Sequence, residues 1–182
     1  MDDSDRRLAA WADGVVARVA AQDELDNEFL AALGRSPSLR EETPAHMAKA
    51  LWAATPGLGP AGCAAAAGVP QRQLWTWQIQ EPAFAAAMAS ASTLAQSHAL
   101  ATNGTPAPMT PIALRVLLKE LRAGARIQPA AALPGVPIDA LNRLRRHHPR
   151  VNALILAARG RGESTYEHSY RLVRVDNAST GR

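Results

Sequence analysis

One offset organises this chain. Moved along itself by 67 residues without a gap, the sequence lays its punctuation back onto itself. Thr110-Pro111 falls on Thr43-Pro44, Leu118 on Leu51, Gly124 on Gly57, Ala131 on Ala64, Gly135-Val136-Pro137 on Gly68-Val69-Pro70, Leu141 on Leu74 and Pro149 on Pro82. Trp77 meets Leu144 and Phe84 meets Val151, so the apolar character persists. Composition alone rarely returns prolines and glycines in register with apolar anchors, and the chain reads as an internal duplication of a four-helix unit.

Inside each copy, the spacing of Ala64, Gly68 and Leu74 is that of a helix-turn-helix. It sets a small residue where two helices cross, a glycine free to take positive φ between them, and an apolar anchor on the second helix. Val69 and Trp77 complete the buried side of the first copy.

Composition bears on how such helices pack. Alanine is abundant and aromatic residues make up only 4% of the 182, so close helix-on-helix contact is expected and strands find little support before residue 164. One cysteine, Cys63, precludes an intrachain disulfide and a thiolate zinc site; it reads as a small buried residue. No run of about 18 apolar residues suggests a membrane span, and Asp2, Asp3 and Asp5 are the opposite of a signal peptide's basic start. A soluble, cytoplasmic protein is the expectation.

The net charge of +4 is unevenly spread. Residues 1–42 carry five Arg against ten Asp and Glu, whereas residues 110–160 carry nine Lys and Arg against two acids. Between them, residues 43–109 hold Lys49 and Arg72 against Glu81. The electrostatic footprint expected for nucleic acid therefore lies on the second copy.

In order, residues 1–42 read as an acidic helical arm, with Leu8, Trp11, Val15 and Val19 near one face and Leu25, Phe29, Leu30 and Leu33 as a second apolar group. The first unit spans 43–100. Thr43 caps and Pro44 opens its first helix, with Met47, Leu51 and Trp52 directed inward, and further helices start at Pro60, Pro70 and Pro82. Residues 101–109, ATNGTPAPM, form a linker. The second unit spans 110–160, and Pro134, just before its turn glycine, predicts a short or distorted middle helix. The tail, 161–182, alternates around Tyr166, His168, Tyr170 and Leu172 and reads as a strand or an extended tail. The fold class expected is all-α, two tandem helix-turn-helix units between an N-terminal arm and this tail.

Each third helix presents an outward face. In the first copy it carries Gln71, Arg72, Trp75, Thr76 and Gln80; in the second, Asp139, Asn142, Arg143, Arg145, Arg146 and His147. Glutamine pairs bidentately with adenine, arginine with guanine, and both sets offer donors to phosphate. These are the candidate DNA-binding residues. A polar face of this kind also suits plain solvation.

The order of Ala64, Gly68, Val69, Leu74, Trp77, Pro82 and Phe84 resembles the homeodomain-like helix-turn-helix of phage terminase small subunits, transposases and phage or actinobacterial regulators. Gly135, Val136, Leu141, Leu144, Pro149 and Val151 carry a weaker second copy, and together the resemblance covers about half the chain. It implies double-stranded DNA as partner, with the third helices as readers, and a transcriptional regulator as the function. Pro70 and Pro137 depart from the Ser or Thr cap common in such families.

Two alternatives stand beside that expectation. A scaffold or adaptor binding protein partners fits the near-neutral first unit, and a terminase-like DNA-packaging role fits the same resemblance. Homo-oligomerisation through the N-terminal arm or the C-terminal strand is compatible with each. An enzyme is not expected: no phosphate-binding glycine loop or Cys/His metal set occurs, and neither cofactor nor metal is implied.

Overall fold

The computed structural model describes residues 3–32, 39–101 and 109–160. Among these residues every regular element is a helix. In chain order they are α1 (Asp3–Ala32), α2 (Leu39–Ala54), α3 (Pro60–Ala67), α4 (Gln71–Gln80), α5 (Pro82–Ala101), α6 (Pro111–Arg122), α7 (Ile127–Ala132), α8 (Ile138–His147) and α9 (149–160). The strand expected around Tyr166–Leu172 and most of the expected linker lie outside the described residues.

Local chemistry accounts for most helix starts. Pro60, Pro82 and Pro111 each occupy a first helical position, where the missing N–H has no intrahelical partner. Thr110 caps α6, its Oγ1 accepting from the Ala113 N–H at 3.1 Å. At Thr43-Pro44 the expectation fails. The helix begins at Leu39 and Pro44 lies inside it. Pro44 is the sixth helical residue, so its missing N–H costs one intrahelical hydrogen bond, to the Arg40 carbonyl, just beyond the first turn. The middle helix of the second half is the shorter, six residues in α7 against eight in α3.

Two apolar cores share one wall. Leu74, Trp77, Phe84 and Met88 from α4 and α5 close over the alanines of α2 and α3 and meet Ile112, Ala113 and Val116 of α6. Further along α6, Leu117, Leu118 and Leu121 enter the other core with Leu141, Leu154 and Ile155. Burying a Leu or Ile side chain contributes about 1.5–3 kcal/mol, so α6 joins the two halves energetically. The halves also touch through backbone: a Cβ built on Gly62 of α3 would stand 2.8 Å from the Leu133 carbonyl oxygen.

Helix α1 lies on the second core. Its contact stripe is built from Ala12 and Val16, both fully buried, and not from Trp11, which is 40% exposed. Small side chains let α1 approach α6, and Trp11 stays at the rim, its ring 5.6 Å from the Arg150 guanidinium. Trp52 departs from expectation in the same way and is exposed, because Ala50, Ala53 and Ala54 occupy the inward face of α2.

Candidate functional site

The turns before α4 and α8 share one glycine conformation and one hydrogen-bond pattern, although two residues separate the end of α7 from its glycine and α3 runs directly into its own. Gly68 and Gly135 take φ of +72° and +75°. The Gly68 N–H donates to Ala65 O (3.1 Å) and the Val69 N–H to Ala64 O (3.0 Å); 67 residues on, Gly135 donates to Ala132 O (3.0 Å) and Val136 to Ala131 O (2.9 Å). This paired pattern ends a helix with a left-handed glycine and satisfies its last carbonyls. Pro70 and Pro137 follow in extended conformation and cap two helices of ten residues each. Both helices close identically, through Glu81 N–H to Trp77 O and His148 N–H to Leu144 O, each at 2.8 Å.

Leu74 and Leu141 anchor these helices, each without solvent exposure. In the first half Trp77 packs edge-to-face on Phe84, centroids 6.4 Å apart. Leu144 and Val151 take those places in the second half and are only half-buried. One brace is peculiar to the first half. His46 of α2 donates from Nδ1 to the Ala67 carbonyl at the end of α3, with Glu42 3.4 Å from its Nε2. The equivalent residue 67 positions on is Ala113, which has no such group.

The outward faces carry different chemistry at matched positions. On α4, Gln71, Arg72, Trp75, Thr76 and Gln80 are all exposed, with the Thr76 hydroxyl donating to the Arg72 carbonyl at 3.0 Å. On α8, Asp139, Asn142, Arg143, Arg146 and His147 are exposed. Asp139 stands where the first half has Arg72, so the sign of the charge reverses there. Arg145 differs from its neighbours. It is half-buried, and its Nε donates to Asn152 Oδ1 of α9 at 3.0 Å, tying the two helices together.

No family model, curated protein or solved structure matches the chain. What α4 and α8 can do therefore rests on their own side chains.

Ile79 was not among the residues singled out from sequence, yet at 82% it is the most exposed large apolar side chain of the described residues. It lies four residues after the half-exposed Trp75, on the same face, at the position Arg146 holds on α8. The i, i+4 spacing from Trp75 was the signal available. Cys63 is buried, with its Sγ donating to Leu58 O at 3.2 Å. Burial pushes its thiol up to about 11. No group of three potential metal-ligating side chains occurs among the described residues, and no helix there is long and apolar enough to cross a membrane.

Proposed function

We propose that this chain is a DNA-binding protein of regulatory type, with tandem helix-turn-helix motifs formed by α3–α4 and α7–α8. The observation that carries this reading is the recurrence of one turn geometry before two exposed helices, one of them ending in Arg145, Arg146 and His147. A helix held by a left-handed glycine turn and anchored by one buried leucine is free to present its opposite face to a major groove. On α8 that face offers Arg143, Arg146, Asn142 and His147, suited to phosphates and to guanine edges. On α4 it offers Gln71, Arg72 and Thr76, with little charge.

Electrophoretic shift against a pool of random duplexes at low salt tests the proposal. Retarded complexes that weaken with added salt are expected; the absence of any shift, even with nonspecific duplex in excess, contradicts it. One observation favours a second task for the first half. Trp75 and Ile79 expose apolar surface where α8 carries Asn142 and Arg146, which suits a protein partner better than a phosphate backbone.

A further inference from the structure

The two halves border an open cleft of about 600 Å³, within the range of small-molecule sites. One wall is the α2–α3 turn, Pro56-Gly57-Leu58; the other is the turn before α8, Pro134 to Pro137, continuing into Ala140 and Leu144. Met109, Thr110 and Ala113 also line the cleft. Three of these wall residues are prolines without an N–H, and the N–H groups of Gly57, Gly135 and Val136 are spent on their own turns. The backbone therefore leaves few donors for a ligand.

Polar recognition falls to side chains, and none of those lining the cleft is acidic. The ionisable groups lining the cleft are Arg143, His147 and His148, with no carboxylate among the described residues that line it. An apolar slot with an exposed guanidinium in its lining complements a molecule with an apolar body and one anionic end. We propose that this cleft binds a small amphipathic monoanion, an aromatic carboxylate the size of a fused bicycle, whose carboxylate pairs with Arg143.

Arg143 also stands on the exposed face of α8, so a ligand that engages it competes with a phosphate for the same guanidinium. This second consequence rests on the DNA-binding reading; the binding site itself does not. By linkage, each occupant lowers the affinity for the other by the same factor.

Titration calorimetry of the full chain with 2-naphthoate, and with its neutral counterpart 2-naphthylmethanol, tests the site. One saturable naphthoate site is expected, with the alcohol weaker by about tenfold or more, the loss expected when a charge-assisted hydrogen bond is removed. Ala140→Phe, which fills the slot, should abolish binding. Arg143→Gln, an exposed change that leaves the core intact, should remove the preference for naphthoate over the alcohol. Absence of saturable naphthoate binding, or binding unchanged in Arg143→Gln, overturns the site. Naphthoate binding in a protein that shifts no duplex upholds the site and overturns only the DNA reading. A duplex shift without naphthoate binding does the reverse.

Discussion

Three glycines separate two physical reasons for having no side chain. At Gly68 and Gly135 a Cβ would meet nothing within 4 Å, so the demand is purely conformational, a positive φ. Gly68→Ala and Gly135→Ala should each lower unfolding stability by roughly 1–2 kcal/mol in urea titrations. At Gly62 the obstacle is steric, the Leu133 carbonyl at 2.8 Å. Since backbone cannot swing aside as a side chain can, Gly62→Ala should cost more than either, measured in the same titrations. Cys63 supplies a pH test. Its thiol is raised from 9.0 to about 11 by burial, so the folded state favours the protonated form. The stability tied to that proton is complete below about pH 9 and is lost as pH rises through about 11. Denaturation midpoints should therefore fall more steeply from pH 9 to 11 in the wild type than in Cys63→Ala. A thiol reagent at pH 8 should label the wild type only as it unfolds.

Among the helices, α4 and α8 are matched in length and anchoring but not in supports. Leu74→Ala and Leu141→Ala each remove a side chain with no exposed surface and should cost about 2–5 kcal/mol by chemical denaturation. Arg145→Ala should cost about 1 kcal/mol through the Asn152 hydrogen bond, whereas Arg146→Ala, more exposed, should cost less. The positions of these helices were legible because glycine and proline act locally: Gly68, Pro70, Gly135 and Pro137 punish every alternative backbone. The start of α2 was not, because Pro44 is tolerated within the first turns and the expectation assigned it the first helical position. Trp11 and Trp52 were misplaced for a shared reason. Hydrophobicity alone assigns tryptophan to the core, but between closely approaching helices the space belongs to alanine. The cleft that Arg143 borders was invisible in sequence, since it exists only through the packing of one half on the other. Ile79 was overlooked because an apolar residue on an outward face runs against the expected pattern.

At the scale of the whole molecule, α6 gives one side to each core, so neither half has a complete interior without it. Heating should produce a single calorimetric transition; two well-separated transitions would show that the shared wall is energetically unimportant. The acidic α1 lies on the half that carries most of the positive charge, joined by Ala12 and Val16 and by Trp11 against Arg150. Of the cations on the second unit, Arg143 and Arg146 stand exposed on α8, and the proposed role of that helix makes a quantitative demand. Each phosphate contact contributes about 0.9 to the slope of log affinity against log salt. The decisive measurement is therefore the salt dependence of duplex binding for the wild type beside Arg143→Ala/Arg146→Ala. The wild type should bind at low salt, and the double variant should lose about 1.8 from the slope while weakening on all duplexes. An unchanged slope, or no binding by the wild type at low salt, would contradict the assignment of α8 as the DNA-contacting helix.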